Sequence, residues 1–150
     1  MRISQIYIRV NVHEWEKKEQ IENSINILLK DIDKKKITIK YSEDKGLVSN
    51  KIGIYEIRIN KKEVVEKFLK NLLSLGLSIE DIEKKGNFDE NYNLYLRIDK
   101  NDLIIKNKVS IFYGDDTFFI KISFDGYKKS REKIIDYLRN YLQEIINKNI

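Results

Sequence analysis

The sequence predicts an α+β fold, a two-layer sandwich whose mixed, mostly antiparallel sheet carries its helices on one face, in the order βαββα(α)βββα. Three observations predict it. The stretch Asn93-Leu94-Tyr95-Leu96-Arg97-Ile98-Asp99-Lys100 alternates apolar and polar residues with the period of two that marks a strand wet on one face. Similar alternation recurs along the chain, separated by stretches whose apolar residues return every three or four positions, the spacing of a helix with one buried stripe. Finally, 150 residues at 41% hydrophobic and 35% charged can bury a single core, whereas two domains of half that size would each be marginal. One α/β domain spanning residues 1–150 is therefore expected.

From Ile3 to Val12 the apolar set Ile6, Ile8, Val10 and Val12 alternates with Gln5, Tyr7, Arg9 and Asn11, a first strand with one wet face. A helix is expected from about Glu14 to Lys30, with acids in its first turn and a stripe of Ile21, Ile25, Leu28 and Leu29. Trp15 stands off that stripe and reads as a ring packed over the sheet edge, with a stacking platform for a base as the alternative. Asp31 to Lys36 is a charged turn, and Ile37, Ile39 and Tyr41 then alternate with Thr38 and Lys40 as a second strand. Residues Ser42 to Asn50 read as a polar loop before a third strand, Lys51–Ile59. Asn60-Lys61-Lys62-Glu63 has the form of a capping box, opening a helix with Val65, Phe68, Leu69, Leu72 and Leu73 on its apolar face. Gly76 is placed to end that helix in a left-handed conformation. Ser78 to Lys85 could cap and form a further short helix, and the loop Asn87–Asn91 leads into the central strand.

In that central strand Leu94, Leu96 and Ile98 face the core and Tyr95, Arg97 and Asp99 face outward. Asn101–Lys106 is ambiguous between a helical turn and a bent continuation. Val109 to Tyr113 and Thr117 to Phe124 flank Gly114-Asp115-Asp116, which suits a hairpin turn. On the second of these strands Phe118, Ile120, Ile122 and Phe124 point inward, leaving Phe119, Lys121 and Ser123 outward. A last helix begins near Ser130 with the stripe Ile134, Leu138, Tyr141, Leu142 and Ile145.

Composition excludes several functions. Cysteine is absent, which removes disulfides, thiolate metal sites and thiol nucleophiles and suits a reducing compartment. No run approaches the ~18 apolar residues of a membrane span, and the N-terminus reads as a strand rather than a signal, so the expected location is cytoplasmic. There is no glycine-rich phosphate loop, no Gly-x-Ser-x-Gly, no His-Glu-x-x-His and no Cys-His pair, so neither a cofactor nor catalysis is expected. His13, with no second His or Cys nearby, reads as structural rather than as a metal ligand.

The net charge of +5 favours encounter with polyanions without demanding it, so the placement of charge matters more than its total. If the alternation holds, Tyr7, Arg9, Lys40, Arg58, Tyr95, Arg97, Phe119 and Lys121 share the open face. Rings for unpaired bases and cations for the backbone are what single-stranded or looped RNA requires. The alternative is a set of ordinary cross-strand pairs, partly neutralised by Glu56 and Asp99. Lys128, Lys129, Arg131 and Lys133 crowd the start of the last helix, against its dipole, as though a phosphate were expected there. Lys34, Lys35 and Lys36 suit a solvated turn, with phosphate contact open. Glu56, Asp99, Asp115 and Asp116 could in principle hold magnesium for a nuclease, although the last two are explained by the turn.

The stretch Asn93–Lys100, followed by Gly114-Asp115-Asp116 leading into Ile120-Lys121-Ile122, resembles an archaeal family of predicted RNA-binding exosome subunits. Val10-Asn11-Val12-His13 is similar to that family's entry from first strand to first helix. The likeness spans most of the chain in the same element order. It implies an RNA-binding domain with a two-layer α/β fold similar to the ribosomal protein that binds 5S RNA, without established catalysis. The expected partners are RNA, single-stranded or structured, and exosome subunits. An assembly subunit whose open sheet is covered by a protein partner or a second copy is the alternative, and a metal-dependent nuclease the third reading.

Overall fold

In the computed structural model, which describes residues 1–45 and 51–148, the strands are β1 (Arg2–Val12), β2 (Thr38–Lys45), β3 (Lys51–Ile59), β4 (Asn87–Phe88), β5 (Leu94–Asp99) and β6 (Thr117–Asp125). The helices are α1 (Lys18–Leu28), α2 (Lys62–Ser74), α3 (Ile79–Lys85), α4 (Lys100–Lys106) and α5 (Arg131–Lys148), with a short 3-10 turn at Lys34–Lys36. The strands form one six-stranded sheet in the order β2-β3-β1-β6-β5-β4, and every pairing among the described residues is antiparallel. The predicted class and layering hold. Period-two alternation is the cause, since one residue in two along β1, β3, β5 and β6 is apolar and must face the helices.

That buried face carries Ile6, Ile8 and Val10 of β1, Ile57 and Ile59 of β3, Leu94, Leu96 and Ile98 of β5, and Phe118, Ile120 and Ile122 of β6. Against it pack Ile21, Ile25 and Leu28 of α1, Phe68 and Leu72 of α2, and Ile134, Leu138 and Leu142 of α5, as their stripes predict. Gly76, at φ +112°, closes α2 as expected, with its amide donating to the Leu73 carbonyl and the Leu77 amide to Leu72. Those two bonds make a Schellman motif, whose φ a side chain would resist. Ser78 caps α3 by accepting from the Asp81 amide at 3.2 Å.

Several boundaries depart from expectation. Helix α1 starts at Lys18 rather than Glu14, because the Glu16 amide donates to the His13 carbonyl while the Glu16 carboxylate accepts from the His13 amide, each at 3.0 Å. That closed turn holds Trp15 outside the helix. The α2 cap is Lys61 and makes no side-chain bond; the one-residue shift puts Glu63 too early to reach back, so no capping box forms. β2 continues to Lys45 through half of the predicted polar loop, and residues 46–50 of that loop lie outside the described residues. Ile39, predicted inward, is 40% exposed, because β2 is the edge strand of the sheet and is not fully covered by helices.

The hairpin predicted from Val109–Tyr113 and Thr117–Phe124 does not form. Both edges of β6 are taken, by β1 and β5, so residues 109–113 run instead along the outer edge of β5. There Ile111 bridges Ile98, the Asp99 amide donates to the Ser110 carbonyl at 2.9 Å, and the Phe112 amide to the Arg97 carbonyl at 2.9 Å. β4 covers the remainder of that edge. The ambiguous segment before it is helical, capped by Asp99 accepting from the Asn101 amide at 3.0 Å.

Candidate nucleic-acid interface

The open face of the sheet is built by register. Residues directly opposite on neighbouring antiparallel strands share a face, and two adjacent rows collect all eight predicted positions. One row runs Arg58, Tyr7, Lys121, Tyr95 across β3, β1, β6 and β5. The other runs Lys40, Glu56, Arg9, Phe119, Arg97, from β2 to β5. Over β1, β6 and β5 the two rows therefore read Tyr-Lys-Tyr above Arg-Phe-Arg, a checkerboard of rings and cations. Phe119 lies diagonally between the two tyrosines, with ring centroids 6.5 Å from Tyr7 and 5.4 Å from Tyr95.

Each ring also carries a cation. Arg58 lies over Tyr7 at 4.6 Å, Arg97 over Phe119 at 5.3 Å and Lys121 over Tyr95 at 5.9 Å. The tyrosine hydroxyls pin their rings. Tyr7 donates to Glu56 Oε2 at 2.6 Å and Tyr95 to Asp89 Oδ2 at 2.7 Å. Burial, then the bond to Glu56, pushes the Tyr7 hydroxyl above its ordinary value, and that same bond holds Glu56 below the usual carboxylate range. The bond to Asp89, then burial, raises Tyr95 likewise.

Sequence reasoning missed Asp89. It organises the turn before β5, accepting from the Asn91 and Asn93 amides and the Asn93 side chain, each at 2.9 Å. Burial works to raise its carboxyl, but the bonds from Asn93, Tyr95 and the two amides outweigh it and hold the group well below the usual range. The local signal was an Asp two and four residues before Asn91 and Asn93, the pattern of a side chain bonding its own following backbone.

The second predicted cluster stands apart from this face. Lys129 Nζ donates to the Phe124 carbonyl at 3.1 Å and Lys133 Nζ to the Lys128 carbonyl at 3.0 Å. Arg131 donates to the Glu83 carbonyl of α3 and lies 5.8 Å from the Phe88 ring, while Lys128 sits over Tyr127 at 5.4 Å. Three of the four cations thus meet backbone carbonyls.

At the far end of β1 a further group assembles that no local pattern announced. Lys100, whose side chain is only 4% exposed, donates to the Asn11 carbonyl at 2.6 Å, to Glu16 Oε1 at 2.9 Å and to Asp116 Oδ1 at 2.7 Å. His13 Nε2 lies 3.1 Å from the same Asp116 oxygen. Asp116 therefore serves this knot rather than a hairpin turn. His13, Glu16 and Asp116 bring three potential metal-ligand atoms within 4.8 Å of one another, but the Lys100 ammonium lies among them and already answers the carboxylates. Trp15, expected against the sheet edge, instead stacks on His13 with centroids 4.4 Å apart and planes 1° from parallel, and is 77% exposed. No helix among the described residues is long and apolar enough to cross a membrane.

Residues 5–125 match the model of a family described as RNA binding. Among solved structures, the chain is similar to a protein of Archaeglobus fulgidus assigned to the family model DUF54, at 28% identity and TM-score 0.72, over 93% of this chain and 99% of that one. A Sulfolobus solfataricus protein of the same family model is 26% identical with TM-score 0.73, over 97% and 99% of the two chains. A DUF54 protein from Methanothermobacter thermautotrophicus shares the fold at 21% identity and TM-score 0.72, over 93% and 98%. Among curated proteins none matches.

Proposed function

This chain belongs to the RNA-binding family, and from that premise we propose that it binds single-stranded or looped RNA on the open sheet face, without catalysis, in archaeal RNA processing or degradation beside exosome subunits. The observation that carries the reading is the checkerboard of Tyr7, Lys121 and Tyr95 above Arg9, Phe119 and Arg97. Unpaired bases stack on rings and phosphates track cations, and an alternating grid offers both at every step of a strand crossing the sheet. Three of the four acids a two-metal nuclease could draw on are otherwise engaged, Glu56 by Tyr7, Asp99 by the Asn101 amide, and Asp116 by Lys100 and His13. The archaeal origin of the similar structures supports the setting.

The test is RNA affinity measured by fluorescence anisotropy on the wild type and Tyr95→Ala. Loss of one stacked base is expected to cost ~1–3 kcal/mol on single-stranded RNA and less on a plain duplex, whose bases remain stacked on each other. Wild-type affinity in Tyr95→Ala, together with lost self-association or a lost protein pull-down that survives ribonuclease, would make the face a protein interface. Cleavage of labelled RNA with magnesium or manganese by the purified protein, abolished in Asp99→Asn, would make it an enzyme.

A further inference from the structure

We propose that the cleft beside Trp15 is a second RNA subsite, taking one unpaired nucleobase from a strand that runs off the end of the sheet face. The inference rests on the RNA-binding reading and adds a place and a mode of contact to it.

Trp15 is the chain's single tryptophan and lies at the mouth of a cleft of about 620 Å³, a volume typical of small-molecule sites. One face of the indole rests on His13, and His13 is itself held by Asp116 at 3.1 Å. A ring so supported yet 77% exposed has its other face open, and exposing an indole to water gains nothing for folding. Phe112, 52% exposed, lines the same cleft, as does Ile105 at 75%. The polar lining has the groups that read base edges. The side-chain amides of Gln20 and Asn101 have no protein partner among the described residues and offer paired donors and acceptors.

Charge decides between base and phosphate. Glu16 and Asp116 line the cleft and share the single charge of Lys100, and Asp99 adds a third carboxylate, so a phosphate inside would be repelled whereas a neutral base carries no charge to repel. Lys17, also part of the lining, is a cation suited to the phosphate that follows. The cleft borders the end of β5 and so the edge of the proposed face. Asp99 is the last residue of β5 and lines the cleft, and the Phe112 amide donates to the carbonyl of Arg97, whose side chain covers Phe119. A strand leaving the checkerboard past Arg97 would meet Phe112 and with it the cleft that Trp15 also lines.

The experiment uses the whole chain, an oligoadenylate of about twelve nucleotides, and inorganic polyphosphate of similar charge as the control. Emission from Trp15 should be quenched by the oligoadenylate and unmoved by the polyphosphate. Trp15→Ala should raise Kd, read by anisotropy of the labelled oligomer, about 5- to 150-fold, and Trp15→Phe should recover most of the loss. Because Trp15 is exposed, thermal melting of both variants should match the wild type. If Trp15→Ala binds as tightly as wild type while Tyr95→Ala binds weakly, the cleft is overturned and the face stands. If Trp15→Ala instead abolishes self-association with RNA affinity intact, the cleft is a protein contact and the proposal falls. Absence of RNA binding by the wild type itself overturns the face reading and the subsite together.

Discussion

A single ammonium holds three segments together at the mouth of the cleft. Lys100 joins the end of β1 through Asn11, the turn before α1 through Glu16, and the loop before β6 through Asp116. Removing a partner from a buried ion pair costs more than the pair contributes, since the remaining charges are stranded. Lys100→Ala is expected to destabilise the fold by about 3 kcal/mol, the low end of the usual range because Asp116 is half exposed, read as a shift of the urea midpoint. Asp89 makes a second residue-scale prediction. Its folded carboxyl is depressed, so its stabilising contribution is present above the unfolded value and is lost as pH falls through 3.8 toward the folded one. Melting temperature followed on acidification should therefore fall less steeply in Asp89→Asn than in the wild type. Tyr95, raised by the same bond, behaves oppositely and loses its contribution only as pH rises beyond 10. The Asp89 turn was within reach of sequence reasoning because its bonds span two to six residues. The Lys100 knot was not, because it joins positions 84 and 89 apart and a lone Lys carries no spacing signal.

At the scale of elements, the start of α5 separates cations that maintain structure from one that does not. Lys129 holds a carbonyl near the end of β6, Lys133 one in the loop ahead of the helix, and Arg131 ties the helix to α3. Among the described residues the Lys128 side chain meets only the exposed Tyr127 ring. Lys128→Ala is thus expected to make the salt dependence of RNA binding shallower by about 0.7 in log-log slope if it meets a phosphate, with melting unchanged. Lys129→Ala/Arg131→Ala should lower the melting temperature instead. An unchanged slope in Lys128→Ala returns this cluster to solvent. The strands with one face buried were legible, because period two fixes which residues of β1, β3, β5 and β6 point inward. Residues 109–113 were not. Their alternation is that of a strand, but whether they pair with β6 or with β5 depends on β1 already occupying the β6 edge, a fact written elsewhere in the chain.

Across the whole molecule the same limit applies to the face. Each strand showed its own outward residues, but the checkerboard exists only because the strand order puts β6 between β1 and β5, and no local pattern states that order. The grid has an energetic consequence, because the cation over each ring occupies the surface on which a base would stack. Arg97 over Phe119 at 5.3 Å is the test case, since Phe119 is the central ring and has no hydroxyl to pin it. For RNA to stack there, Arg97 must leave the ring and find a phosphate. It exchanges a cation–π contact of about 0.5–1 kcal/mol for an ion contact that salt screens. Removing Arg97 loses the phosphate contact but uncovers the ring. Arg97→Ala is therefore expected to bind single-stranded RNA more weakly than wild type at low salt, with a log-log slope shallower by about 0.7. The two binding curves should converge, and cross, as salt rises. Phe119→Ala should show the reverse, a loss at all salt concentrations with the slope unchanged. Parallel salt lines for Arg97→Ala and the wild type would mean that Arg97 never meets a phosphate, and that its contact with Phe119 is a structural pair of the sheet.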